Sequence, residues 1–444
     1  MNPLFSSLDD SKEHPRPHKW LFTSIVSLTA AAAPLGSTIL MPVLASIASD
    51  FHTSPSIANL SVAFYSLAIA FLPLWWSSLA ELYGRRPVYL ASFTLFIVFN
   101  ILSAFSSSIV MFILMRVLAG GASASVQAVG AGTVADLWAV KERGRAMGIF
   151  FLGPMLGPLI APIIGGAVAL RWSWRSTQWV MVIYGVIVLL LLFFCLPETK
   201  HKPKQTPGEG EKPEQKSSIW SILVAPLSLL PMLRSMPIFI TVYYASITFA
   251  SYYLLNISVQ ATFSSAPYSF STMLVGLMYV PSSLGYILSA TLGGRWTDRI
   301  MHAAAEKAGR YDENNNLIMI PADRIGLNAW IAGLLYPAAL LTYGWTAGEH
   351  VFWFGPCVAT FFYGVGNMLV FGVTTTMLTE FVPSKPSTGV ALNNLLRNSL
   401  ACIACVVAQP LMDAIGNGWL FTGMAVICWL SGLTLVAMKR LGNK

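Results

Sequence analysis

Two arginines fall inside stretches that are otherwise apolar: Arg116 in the run 109–133 and Arg397 in the run 389–412. A guanidinium at such depth costs about 3 kcal/mol or more unless it faces protein or water. Asn394, Arg397 and Asn398 are spaced i, i+3, i+4 and share one helical face, with Asn393 beside them. That stripe suits a carboxylate or another polar group of a substrate. It suits equally well hydrogen bonds that only hold neighbouring helices together. Arg116 fits proton coupling or attraction of an anionic group, and its place near one end of its run also lets it reach the headgroups. A third group is Glu81, Gly84, Arg85 and Arg86, a polar turn between the runs 57–78 and 88–106, with Asp136 just after 109–133.

No other constellation carries chemistry. His14, His18, His52, His201, His302 and His350 are scattered through tails and loops, unlike the histidine or acid cluster of a membrane-embedded enzyme. Cys402-x-x-Cys405 has a redox or metal spacing but no histidine or second pair, which fits small buried residues. The absence of Gly-x-x-x-x-Gly-Lys-Ser/Thr argues against pumping driven by ATP. No catalytic residue, metal ligand or cofactor is expected, and a proton gradient is the expected energy source. Glu380 and Asp136 are the acids nearest the apolar runs that would carry protons.

Composition dictates the elements that position these residues. The chain of 444 residues is 55% hydrophobic and 10% charged, against about 25% charged in a soluble domain. That is a polytopic, all-α membrane protein in a lipid bilayer. The net charge of +8 is spread over loops between apolar runs, which excludes a nucleic-acid partner. A span needs about 20 apolar residues. Runs of that kind at 20–45, 57–78, 88–106, 109–133, 146–168 and 177–196, then 235–258, 270–293, 326–344, 350–378, 389–412 and 418–438, predict twelve spans, numbered here in that order.

The expected organisation is a tail over 1–19, a six-helix bundle over 20–196, a Lys-, Glu-, Pro- and Gly-rich linker with an amphipathic approach over 197–234, a second bundle over 235–438 and a tail over 439–444. Apart from Arg116 and Arg397 inside spans, and Arg171 and Arg175 on one opposite loop, every Lys and Arg lies on the side of the termini and the linker. Both termini are therefore expected in the cytoplasm. The turn Leu79-Ala80-Glu81-Leu82-Tyr83-Gly84-Arg85-Arg86 after span two has a counterpart after span eight, Gly294-Arg295-Trp296-Thr297-Asp298-Arg299. An acid-plus-arginine turn at the same place in each half points to two pseudo-symmetric bundles. In span five, Gly148, Gly153, Gly157, Pro158, Pro162, Gly165 and Gly166 predict a smooth, kinked face for close packing.

These motifs, in this order, resemble the major facilitator superfamily, in particular its twelve-span drug:proton antiporters of fungi. The family turn Gly-x-Leu-Ala-Asp-Arg-x-Gly-Arg-Arg is matched by Leu79, Ala80, Gly84, Arg85 and Arg86, with Glu81 for the Asp, and departs at Ser77 and Leu82. The span-four motif Arg-x-x-Gln-Gly is matched by Arg116 and Gly120, with Ala119 for the Gln. The span-five motif Gly-x-x-x-Gly-Pro is matched by Gly153, Gly157 and Pro158. Leu196-Pro197-Glu198-Thr199 and Asn393-Asn394-x-x-Arg397 resemble the branch holding quinidine- and multidrug-resistance proteins and organic-acid exporters.

The resemblance implies a monomer in the plasma membrane that works by alternating access. It implies an inner latch of Glu81, Gly84, Arg85, Arg86 and Asp136, with Asp298 and Arg299 in the second half. In that latch the turn's acid faces the start of span eleven and its arginine pairs with the acid ending span four; the bland reading is that the arginines only anchor topology. It implies a hinge and seal at Gly153, Gly157 and Pro158, packed against span eight. The expected function is proton-coupled export of a drug, toxin or secondary metabolite. The alternatives are export of a di- or tricarboxylate and a transporter-like receptor. The deep arginines favour a neutral or anionic small molecule.

Overall fold

A computed structural model describes residues 14–138, 140–199, 231–311, 317–318, 320–381 and 386–441. The linker residues 200–230 lie outside it, as do the side chains of Glu81 and Glu380. The described residues are helical apart from turns and one isolated bridge, Tyr311 to Leu317. In lipid every backbone polar group must be satisfied within the protein, and helices do this within one segment.

Among the described residues, nine helical stretches are long and apolar enough to cross a membrane. The last of them, Leu392–Ala437, holds two spans, because Gly416 (φ 73°) breaks the helix Pro386–Gly432. Val140–Arg171, with Pro154, Pro158 and Pro162 inside it, and Leu327–Gly348 are the remaining helices of the twelve expected. Span one is segmented into Arg16–Ala30, Ala32–Thr38, a 3-10 turn Met41–Val43 and Leu44–Asp50. Ser54 and Ser108 cap spans two and four by accepting from the amides of Ile57 and Met111.

The apolar faces point two ways. In span six, Arg175–Cys195, the buried residues Gln178, Met181, Val182, Gly185, Val188 and Leu192 recur every three or four positions. Ile183, Ile187 and Leu190 between them are exposed, as a lipid-facing surface requires.

One expected element differs. Residues 294–299 are not a turn but part of the helix Val280–Lys307, which continues beyond the apolar run and ends at Gly309 (φ 62°). The amides of Gly309 and Arg310 reach back to the carbonyls of Glu306 and Ala305, a left-handed glycine cap. In the first half the break comes at Gly84 (φ 97°), directly after span two, Pro55–Tyr83. Residue types repeat between the halves, but the glycine able to adopt positive φ stands in a different place.

Candidate substrate and coupling site

Arg116 projects from Ile109–Ser123 into the first bundle and is fully buried, so it does not reach headgroups. Its Nη2 donates to the carbonyl of Gly36 in span one at 2.5 Å, and its guanidinium carbon lies 4.0 Å from the ring centroid of Tyr65. Nε and Nη1 have no hydrogen-bond partner among the described residues. Glycine makes this arrangement possible: a Cβ at Gly36 would lie 2.1 Å from the Tyr65 hydroxyl, and one at Gly120 2.9 Å from its ring. Tyr65 OH is also 3.2 Å from Ser123 Oγ.

Arg397 is different. It is half-buried on span eleven, with its guanidinium carbon 4.2 Å from the ring centroid of Phe249 and 5.1 Å from that of Phe371. Its Nε has no partner, and among the described residues no carboxylate pairs with it. Asn394, on the same face, donates through Nδ2 to Gln127 Oε1 at 3.4 Å, which joins span eleven to span four. Asn398 donates to the carbonyl of Asn394 at 2.9 Å, so its amide is spent within its own helix. A second tie between bundles is Ser37 Oγ to Tyr253 OH at 2.8 Å.

At the basic face, Arg85 Nε meets Asp136 Oδ2 at 3.3 Å, as the resemblance implies. Glu198 joins them by accepting from the amides of Arg85 (2.9 Å) and Arg86 (3.1 Å), which caps span three, Arg85–Ala104. Arg86 Nη2 donates to the carbonyl of Phe193 at 2.7 Å. Gly84 and Gly132 leave room, since a Cβ would lie 2.5 Å from Glu198 Oε2 and 2.9 Å from the Arg85 guanidinium respectively. All these groups belong to the first bundle; the expected reach of Glu81 to span eleven lies outside the described residues. In the second half Asp298 pairs with Arg324 (3.1 Å) on an exposed surface, and Arg299 is exposed.

Span five divides its small residues between two neighbours. Cβ atoms at Gly153, Gly157 and Gly165 would lie 1.9 Å from the Ser27 carbonyl oxygen, 2.9 Å from Pro34 and 2.2 Å from the Ile39 carbonyl oxygen, all in span one. The approach to span eight is made instead by Gly166, 2.5 Å by the same measure from the Thr272 oxygen, and by Gly276 of span eight, 2.6 Å from the Pro162 oxygen. Gly153, Gly157 and Pro158 therefore lie on the stretch that follows span one, and the contact between bundles is nearer the opposite face. There Arg175 is tied to Asp50 at 2.5 Å and to the Ser106 carbonyl at 3.2 Å.

Sequence reasoning did not single out Gln127, Phe249, Phe371 or Gly36, and it met Glu198 only as part of a motif. Gln127 carried a signal, as a primary amide within an apolar run. The two phenylalanines carried none, because such rings face lipid just as readily.

A D-xylose-proton symporter of known structure superposes with a TM-score of 0.67 over 94% of this chain and 96% of its own, at 15% identity, a likeness of fold. The MFS transporter OpS2 of Beauveria bassiana (strain ARSEF 2860) is 54% identical over 74% of this chain and 99% of its own length. The MFS antiporter QDR3 of Candida albicans (strain SC5314 / ATCC MYA-2876) is 32% identical over 99% of this chain and 80% of its own. The family model of the Major Facilitator Superfamily matches residues 26–405, and with the fold and these relatives it places the chain in that superfamily of membrane transporters.

Proposed function

We propose that this secondary transporter exports a small organic molecule, neutral or anionic, by proton-coupled alternating access in the plasma membrane, with both termini cytoplasmic. The observation that carries the reading is the charge inventory of the spans: Arg116 and Arg397 are their deep charges, and no Asp or Glu lies in the central part of any span. A cationic cargo would meet like charge in a medium of low dielectric, whereas an anion finds at Arg397 a guanidinium with no carboxylate partner among the described residues. The bridge from Asn394 to Gln127 supports placing the cargo there, because a ligand between spans four and eleven touches both bundles and biases their relative position. Relatives named as an antiporter and as an efflux pump support the direction of transport. The Lys and Arg asymmetry supports the sidedness.

The test is flux of charged and neutral compounds in vesicles holding the purified chain under an imposed pH gradient. Gradient-dependent movement of anionic or neutral compounds is expected, with cations left behind. Flux indifferent to the gradient refutes proton coupling, and preferential flux of cations refutes the substrate reading.

A further inference from the structure

We propose that the cargo is a mono-anionic aromatic acid, an aryl carboxylate or phenolate, held by the N–H edge of Arg397 with its ring against the Phe249 shelf. This rests on the reading that the Arg397 face binds the cargo, and it narrows that reading by charge and by shape.

Charge comes first. The central parts of the spans hold two cations. Arg116 is sealed beneath Tyr65 with its Nη2 committed to the Gly36 carbonyl, so it presents nothing to a ligand. Arg397 is only partly buried and remains as the cation a ligand could reach. A di- or tricarboxylate bound there leaves at least one carboxylate without a counter-charge in apolar surroundings, which is strongly unfavourable. A single negative charge is matched.

Shape follows from the rings. Phe249 stacks on Tyr252 at 5.8 Å and meets Tyr253 edge-on at 5.2 Å, and Tyr252 meets Tyr286 of span eight at 5.9 Å. These rings form a continuous shelf beginning at the guanidinium. The faces of Arg397 are met by Phe249 and Phe371 and its Nε is buried without a partner, so the Nη end of the guanidinium is the part left for an acceptor. In an aryl acid the oxyanion is conjugated with its ring, so a group gripped by that end brings a flat ring beside the shelf. Ring pairs of this kind contribute about 0.5–1.5 kcal/mol beyond area burial, a preference of about 2- to 12-fold over a saturated ring. Gln127, which accepts from Asn394, keeps its own amide N–H groups for a further oxygen on the ligand.

The test measures uptake of 2-naphthoate, cyclohexanecarboxylate, succinate, citrate and the neutral 2-naphthylmethanol into vesicles holding the purified full chain under a pH gradient, each corrected for protein-free vesicles. Melting of the detergent-solubilised protein is followed with the same compounds. The expected result is 2-naphthoate faster than cyclohexanecarboxylate by about fivefold, with succinate and citrate at background and a thermal shift for 2-naphthoate. Phe249→Leu should bring that ratio close to one while cyclohexanecarboxylate still moves, and Arg397→Gln should slow both acids. Equal rates for the two mono-acids, faster succinate or citrate, or a ratio unmoved by Phe249→Leu overturns the inference. Gradient-driven flux of the neutral alcohol alone overturns it too, yet leaves proton-coupled export standing. No flux and no thermal shift for any compound overturns both.

Discussion

The two halves of the molecule each place one arginine deep in the membrane against aromatic rings, and they treat it in opposite ways. Arg116 in the first half is closed in by span one: the glycines at 36 and 120 bring Tyr65 onto its face, and a main-chain carbonyl takes one N–H group. Arg397 in the second half is only partly buried on its polar stripe, with rings and, among the described residues, no carboxylate beside it. A sealed charge with unsatisfied donors is expensive. One that is only partly buried keeps an edge that a ligand can meet. Similar chemistry in the two bundles is thus set in two different surroundings, which fits the proposal that the cargo meets Arg397 and not Arg116.

The largest expected effect tests the arginine of the second half. Arg397→Gln removes a charge-assisted hydrogen bond, so transport of an anionic cargo should fall by about 10- to 150-fold (about 1.5–3 kcal/mol). Neutral compounds should keep their rate in the same vesicles, and membrane levels should stay normal. An equal loss for neutral and anionic compounds would erase the distinction between the arginines. Arg116→Met sharpens it from the other side. Replacing a buried, half-satisfied charge by an apolar side chain of similar length is neutral or stabilising for the fold. The melting temperature should therefore hold or rise. Flux of every substrate, whatever its charge, should drop about tenfold, within a coupling energy of about 1–3 kcal/mol. A drop confined to anions would make Arg116 a second binding residue.

How much of this could be read beforehand follows the cost of each residue in its setting. Arg116, Arg397 and the Asn394 stripe stood out because charge and amides in an apolar run must be explained, and the spans stood out because lipid permits few other structures. Phe249 and Phe371 were illegible, since such rings cost nothing on a lipid-facing surface. The turn expected at Gly294–Arg299 was misplaced because residue types recur between the halves while the left-handed glycine does not: it stands at Gly84 in one half and at Gly309 in the other. The small residues of span five announced close packing correctly, but spacing alone does not say which neighbour fills the groove. Gly153 and Gly157 went to span one, and Gly166 to span eight.

That division yields a smaller, sharper test of how the halves meet. An added methyl at Gly166 would lie 2.5 Å from the Thr272 oxygen, whereas at Gly148 in the same helix it meets nothing within 4 Å. Overpacking of this kind costs about 1–3 kcal/mol in the state where spans five and eight touch. Gly166→Ala should slow transport about fivefold, within that range, and raise amide hydrogen exchange in Thr272–Leu277. Gly148→Ala should do neither. Equal behaviour of the two variants would mean that the contact of span five with span eight does not limit the cycle.

The smallest effects should separate the two basic-face ends. In the first half Glu198 holds two amides at the start of span three, where the helix dipole favours an anion. Asp136 and Arg85 lie beside it, half-buried to buried. Glu198→Gln keeps an acceptor but removes the charge and one of the two good contacts, so about 1 kcal/mol of stability should go. In the second half Asp298 meets Arg324 with most of its side chain in solvent, and such exposed pairs contribute about 0–1 kcal/mol. Asp298→Asn should therefore leave the melting curve nearly where it was. The comparison matters more than either value. If Asp298→Asn destabilised as much as Glu198→Gln, the exposed pair would be a true counterpart of the first-half network. If it does not, the basic face is asymmetric, with span three anchored to span six by a half-buried cap and the second half carrying a helix that runs on to Gly309.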